Sequence, residues 1–397
     1  MRWRVGGALL LVVVAAATVN YLRPIPPVSA APLLAASQVV PGTAPTLPWP
    51  SHGAGAVGVS GLGFVASSGN EQAIPAASVT KVMTALIVLE DKPLTKGAPG
   101  PSITMGDADV QSYQSDLSDQ QSVVKVLAGE QLSELQLLQG MLIPSANNFA
   151  ESIARWDAGS IEAFVAKMNA RALALHLTHT KFADPAGASA ASVSTPTDLM
   201  SLGMVAMQND VFAQVVATGQ VNLPVAGTVY NVNHVLAQEG IVGIKTGSGL
   251  NSGANFLFAA NATIDGHTIV VYGCVMGQPT LDGAFSTAQS LIAAMSAALH
   301  VRRVMSRHQS IATYTTPWGP QTDLISADDV DLAEWPGMVL RQRLDATSIV
   351  VDKPLPSSTV EGHEHLVLGD YVLDVPLVTA DPLYPPGRFW RVTRISF

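Results

Sequence analysis

The chain holds a single cysteine, Cys274, so no internal disulfide is possible, and there is no cysteine cluster of the kind that holds zinc or iron–sulfur. Charge is sparse, with only 13% Asp, Glu, Lys and Arg, and the balance is acidic at a net −9. An acidic chain lacks the basic face that nucleic acid requires. Internal repeats are absent. What the sequence does have is apolar residues, 48% of 397, which exclude a disordered chain and suffice for a large core without staples.

The apolar content is uneven. Arg2 and Arg4 precede an uncharged run from Val5 to Val19, extended by Asn20, Tyr21 and Leu22 to Arg23. Paired arginines before such a run read as a secretory signal or a short N-terminal membrane anchor over residues 1–22, with Val28-Ser29-Ala30 offering small residues for cleavage before Ala31. Either option implies export. Arg2, Arg4 and Arg23 are the only charges before residue 24, so the remainder carries −12. Residues 23–53 contain eight prolines between Pro24 and Pro50. Fixed φ and missing donors predict an extended linker there.

From residue 54 the pattern turns globular. Ala56–Val59 and Leu62–Ala66 around Ser60-Gly61 predict a hairpin. Val79, Val82, Met83, Leu86 and Ile87 recur at helical spacing, predicting a helix over 78–90 with Ser78 as its N-cap. Further helices are expected at 134–142, 148–156, 161–175 and 281–302, and strands at 241–246, 254–260 and 267–275. After residue 304 only short runs such as 349–351, 364–368 and 371–375 recur between Pro, Gly and Asp, which predicts a small all-β domain over 304–397.

Three short patterns could carry chemistry: Ser78-Val79-Thr80-Lys81, Ser145-Ala146-Asn147 and Lys245-Thr246-Gly247. A serine three residues before a lysine places both on one helix face, one turn apart. Burial or a second cation, for which Lys245 is available, would let Lys81 take the hydroxyl proton. The helix N-terminus adds N–H groups that favour an oxyanion at Ser78. Ser145 and Asn147 fall at a break after Pro144, and Lys245-Thr246-Gly247 ends a strand where a residue without Cβ admits a peptide-like substrate. No single pattern suffices. Ser-x-x-Lys recurs at Ser122–Lys125 and Ser-x-Asn at Ser68–Asn70, and Ser78 on its own pattern alone reads as a plain helix cap. Order and context favour catalysis: only Ser78 opens an amphipathic helix, with Ser145 about 65 residues later and Lys245 about 100 residues beyond that.

The segment Ile74-Pro75-Ala76-Ala77-Ser78-Val79-Thr80-Lys81-Val82-Met83-Thr84-Ala85-Leu86 closely resembles the nucleophile region of the D-alanyl-D-alanine carboxypeptidases, the low-molecular-mass serine penicillin-binding proteins. Leu142–Asn148, Ile161–Ala170 and Gly243–Gly247 extend the resemblance, which covers roughly residues 55–300. It implies an α/β (α+β) domain of the serine β-lactamase/transpeptidase kind over 54–303, an antiparallel sheet flanked by helices, followed by the all-β accessory domain. It also implies Ser78 as nucleophile and Lys81 as base. Ser145 would relay protons and Asn147 would bind the acyl-side amide. Lys245 and Thr246 would engage the substrate carboxylate, and the N–H groups of Ser78 and Ser248, after Gly247, would form the oxyanion hole. The implied partners are a peptidoglycan stem peptide and β-lactam inhibitors, with no cofactor and no metal. A β-lactamase, a D,D-endopeptidase and a weakly catalytic cell-wall binding protein are the alternatives.

The chain departs from the family pattern in two places. Many members carry an arginine some 35 residues past Lys-Thr-Gly, yet no Lys or Arg occurs here between Lys245 and Arg302. Many carry Asn-Pro-His-Gly where this chain reads Asp184-Pro185-Ala186-Gly187. His363-Glu364-His365 suggests a metal cluster but lacks a third ligand, and is read as an exposed strand.

Overall fold

The computed structural model describes residues 2–69, 72–249 and 251–394. The chain divides into two compact units, one of residues 43–300 and one of residues 1–42 with 301–397.

In the first unit a five-stranded antiparallel sheet runs in the order Ile241–Gly249, Gly253–Ile264, His267–Gln278, Ala54–Val59, Gly63–Ser67. Its central strands are buried almost throughout, so they read as apolar runs rather than as alternation. Neighbouring residues of Gly253–Ile264 point to opposite faces. Phe256 meets Phe285 of the helix Leu281–Ala298, ring centroids 4.9 Å apart, while Leu257 lies against Gly203 of the helix Pro196–Ala206. The sheet is therefore covered by a helix on each face. The remaining helices, Lys81–Asp91, Glu134–Leu142, Asn147–Ala158 and Ile161–Ala174, share one apolar core. Helices also form at Asp107–Ser118, where polar composition concealed the period, and at Asp210–Val216, where seven residues are too few to display one. The last helix stops at Ala298, short of the expected 302, because Leu299 is extended and leads into the strand His300–Met305.

The second unit is all-β apart from its terminal helices. Seven strands form a sheet in the order Ala30–Pro32, Ser310–Thr315, Gln321–Ser326, Tyr371–Thr379, Val360–Leu368, Val339–Ala346, Ser37–Val39. The residues expected as an unattached linker thus supply both outer strands. Proline is tolerated because these are edges, where a missing N–H breaks no ladder bond. Flat strands spaced about 4.8 Å apart would put those edges roughly 29 Å apart. The chain joining Pro32 to Ser37 spans at most about 18 Å at full extension, so the sheet curls. Ile349 makes only an isolated bridge, to Val28, rather than a strand.

The N-terminal run forms the helix Arg2–Leu22, and a short helix Arg388–Thr393 forms near the other end. Arg394 donates to the carbonyls of Asn20, Pro24 and Arg23, and Arg391 stacks over Tyr21 at 4.8 Å. Among the described residues no helix is long and apolar enough to cross a membrane.

Candidate active site

Ser78 is not a helix cap. It lies inside a 3₁₀ turn, Ala77–Thr80, that runs into Lys81–Asp91, and no side chain caps either element. Its hydroxyl instead accepts a hydrogen bond from Lys81 Nζ at 2.8 Å. Three contacts hold this turn in place. Asn255 Nδ2 donates to the carbonyls of Pro75 and Ala76, at 3.0 and 3.1 Å, while Oδ1 accepts from Gly277 N–H. Gly247 packs so closely that a Cβ there would sit 2.9 Å from the Ala76 carbonyl and 3.2 Å from Ser78 N. Gly187, at φ +78°, leaves no room for a side chain against the Ala77 carbonyl.

Lys81 is fully buried. Its amine also donates to Asn147 Oδ1 at 2.6 Å and to the Ala186 carbonyl at 2.8 Å, so three acceptors match the three protons of an ammonium. Burial lowers its pKa from 10.5 to about 7, partly opposed by the negative charges of Asp184 and Asp116. A neutral amine keeps two protons and a lone pair. Two of its neighbours, Asn147 Oδ1 and the Ala186 carbonyl, are acceptors only, so they take the protons and the lone pair is left facing the Ser78 hydroxyl.

Lys245 is also buried and donates to Ser145 Oγ at 2.9 Å and to the Thr246 carbonyl at 3.0 Å. Its pKa lies well below the usual value, chiefly through burial and then through repulsion from Lys81. The sequence suggested the reverse dependence, with Lys245 as the cation that depresses Lys81. Burial alone accounts for the lowering at Lys81, and Lys245 is the lysine on which repulsion acts. Ser145 adopts φ 69°, the left-handed region that disfavours residues with a Cβ.

Ser78 and Asn147 open onto a cleft of about 540 Å³ that Gln121, Ser189, Ser248 and Ser252 also line. Ser78, Lys81 and Asn147 form one hydrogen-bonded cluster, and Ser145 with Lys245 another. Thr246 is buried, and Gly247 supports the Ser78 turn. Three contributors escaped the sequence reading. Gln121 accepts from Asn147 Nδ2 and fixes its amide orientation. Asn255 braces the turn. Asp184 accepts from the N–H groups of Ala186, Gly187, Ala188 and Ser189 and from Ser192 Oγ, folding the loop that turns the Ala186 carbonyl toward Lys81. The Asp-Pro-x-Gly spelling of that loop was a usable turn signal. In the other unit, His365 Nδ1 bonds Asp374 Oδ1 at 2.6 Å, and no metal-binding group of three or more His, Cys, Asp or Glu occurs among the described residues.

Residues 63–280, more than half of the chain, match the D-alanyl-D-alanine carboxypeptidase family. A D-alanyl-D-alanine carboxypeptidase of a Streptomyces species is 30% identical over 235 residues, covering 54% of this chain and 76% of the relative. One from Mycobacterium tuberculosis is 32% identical over 217 residues, 52% of this chain and 69% of that one. A D-alanyl-D-alanine endopeptidase of Pseudomonas aeruginosa is 36% identical over 143 residues, 36% and 42% of the two chains. The crystal structure of a Streptomyces DD-transpeptidase superposes with TM-score 0.56 at 27% identity, covering 64% of this chain and all of that one. Penicillin binding protein 5 of Haemophilus influenzae, at 18% identity, shares the fold over 86% of this chain with TM-score 0.64. Fold and site together are those of the serine peptidases, a class of hydrolases. The chain belongs to the D-alanyl-D-alanine carboxypeptidase family.

Proposed function

We propose that the protein trims peptidoglycan stem peptides as a serine D-Ala-D-Ala carboxypeptidase through an acyl-enzyme on Ser78. The observation that carries this reading is the Lys81 amine, buried, pinned by two carbonyls and hydrogen-bonded to the Ser78 hydroxyl. Ser78 Oγ attacks the carbonyl between the two terminal D-alanines as its proton passes to the Lys81 lone pair. The N–H groups of Ser78 and Ser248 hold the oxyanion. Ser145, bonded to Lys245, relays to the departing D-alanine amine the proton that Lys81 took from Ser78, so the C–N bond breaks and Lys81 is again a neutral amine. Asn147 binds the acyl-side amide, and Lys245 with Thr246 receives the terminal carboxylate, whose charge favours the ammonium form of Lys245. Water, deprotonated by Lys81, then releases the shortened peptide. β-Lactams acylate Ser78 by the same attack and remain bound.

An endopeptidase reading is favoured by one observation. The described residues lining the cleft include no Lys or Arg, and Asp119 adds a negative charge. Mass spectrometry of a D-Ala-D-Ala pentapeptide beside a cross-linked peptide dimer decides between the two. Loss of one alanine, absent in Ser78→Ala, supports the carboxypeptidase. Cleavage of the dimer alone supports the endopeptidase. A stable fluorescent-penicillin label lost in Ser78→Ala excludes a β-lactamase, which would turn the label over, and an inert wall-binding protein, which would take none.

Export to the extracytoplasmic side belongs to this reading, with the helix Arg2–Leu22 as the targeting segment. The backbone bonds of Val28 with Ile349 and the pairing of Ala30–Pro32 within the β unit support retention of these residues over cleavage before Ala31. Protease accessibility of intact cells and N-terminal sequencing of the mature protein test both points.

A further inference from the structure

Gln121 lines the cleft beside Asn147, and the chain is brought there by local rules. The helix Asp107–Ser118 is followed by Gln120 at φ 57°. Gln120 N–H donates to the Leu117 carbonyl at 3.2 Å and Gln121 N–H to the Asp116 carbonyl at 2.9 Å, the paired bonds that close a helix through a left-handed residue. From there the backbone is zipped to the first turn of the helix Asn147–Ala158. The Ser122 carbonyl accepts from Asn147 N–H at 2.8 Å. Val124 N–H donates to Asn148 Oδ1 at 3.0 Å, and the Val124 carbonyl accepts from Asn148 Nδ2 at 2.9 Å. With both backbones fixed, Gln121 Oε1 meets Asn147 Nδ2. A carboxamide has two orientations of nearly the same shape and opposite hydrogen-bonding sense. The one present gives Asn147 Oδ1 to Lys81 at 2.6 Å. Nδ2 has two protons, of which Gln121 takes one and the other is left for a ligand in the cleft. Turned over, the same group would aim an N–H at Lys81. A neutral amine would accept from it with the lone pair that otherwise faces Ser78, and Oδ1 would meet the substrate where a donor is needed. Gln121 Oε1 opposes that turn, because it would then face a second acceptor unless both amides turned together.

We propose that Gln121 is a positioning residue for acylation: its side-chain oxygen holds the Asn147 amide in the orientation that serves both the Lys81 base and the acyl-side amide of the substrate. This rests on the serine peptidase mechanism proposed above and adds to it a residue outside the three motifs, acting through Asn147. Two substitutions separate the role from simple packing of the loop. Gln121→Leu keeps the bulk and removes the acceptor. Gln121→Glu keeps an acceptor and, as a carboxylate, cannot donate. Asp184, Asp116 and Lys245, the charged groups that already act with Lys81, are the same in every variant.

The rate of acylation by fluorescent penicillin, followed as a function of pH, is the first readout. Gln121→Leu is expected to lower the plateau about tenfold, the size of one hydrogen bond to a functional group. It is also expected to raise KM for the D-Ala-D-Ala peptide. The ascending limb near pH 7 moves downward, because an N–H aimed at Lys81 favours the neutral amine. Gln121→Glu is expected to bring the plateau back to within about threefold of the parent and to move the limb upward, since a negative charge is added near Lys81. A Gln121→Leu enzyme that labels within about twofold of the parent rate, or a Gln121→Glu enzyme no faster than Gln121→Leu, overturns the proposal. A melting temperature equal to the parent's certifies each variant as folded, and Gln121→Ala reads the same loss where Gln121→Leu does not fold. Carbon NMR of the Lys81 titration in lysine-labelled protein reads the orientation without turnover, with the same opposite displacements expected in the two variants. Failure of Ser78 to take label therefore sinks the proposed function alone, and an unmoved Lys81 titration in both variants sinks the role of Gln121 alone.

Discussion

The two sides of the cleft each bury a lysine, and the lysines differ in what surrounds them. On the helix side Lys81 has three acceptors and two carboxylates, Asp184 and Asp116, that offset its desolvation. On the strand side Lys245 has a hydroxyl and one carbonyl, no carboxylate contributes to its pKa, and it feels the repulsion of Lys81. The first environment tunes an amine to ionise near neutrality and fixes where its lone pair points. The second leaves an amine short of a negative partner, the condition of a site built to receive one. Burial is shared, and the polar neighbours assign the roles.

The sharpest way to break this contrast is to remove the tuned amine. Lys81→Ala is expected to cut acylation by fluorescent penicillin on the order of 10³-fold, within the range ascribed to a positioned base, with near-ultraviolet circular dichroism unchanged. Labelling near the parent rate would remove Lys81 from the proton transfer. The same change has a signature in stability. Lys81 is lowered to about 7 in the folded protein, so between about pH 7 and 10.5 the unfolded chain binds more protons than the folded one. Stability from this group therefore rises with pH across that window, and the melting temperature of Lys81→Ala should lose that part of the rise.

Lys245→Ala should matter less, about 10- to 100-fold in acylation by a substrate bearing a carboxylate, because a buried charge partner is lost while the base remains. Its effect should shrink toward nothing on an amide-capped substrate, and an equal loss on both substrates would end the distinction between the two lysines. The smallest effect sharpens the account of tuning. The Asp116 carboxylate raises the Lys81 pKa, so Asp116→Asn should move the ascending limb of the acylation pH profile, near pH 7, to lower pH by about half a unit. A limb that stays put, or moves upward, contradicts the assignment of that limb to Lys81.

How much of this was legible in the sequence depends on the range of the interactions. Ser78 and Lys81 were readable because one helical turn joins them, and Ser145, Asn147 and Lys245 because their patterns occur in order along the chain. The braces were not. Asn255 reaches Pro75 and Ala76 across 180 residues, and the Asp184 loop touches Lys81 only after the helices have packed. Neither relation leaves a local period. The serine expected as a cap shows the opposite failure, since a local rule gave way to a 3₁₀ turn held by distant contacts. In the β unit, proline-rich residues 23–53 read as a linker because composition reports stiffness and not edge position. Ala30–Pro32 and Ser37–Val39 are strands only because remote partners supply the other half of each ladder.

That pairing sets a timetable for biosynthesis. A ribosome releases residues 30–39 some three hundred residues before their neighbours at 312–314 and 339–341. Contacts so remote in sequence form slowly, and until they do the sheet keeps two open flanks of the kind that recruit stray strands. The nascent β unit must therefore be shielded through that interval, and it closes only when both late strands have been made.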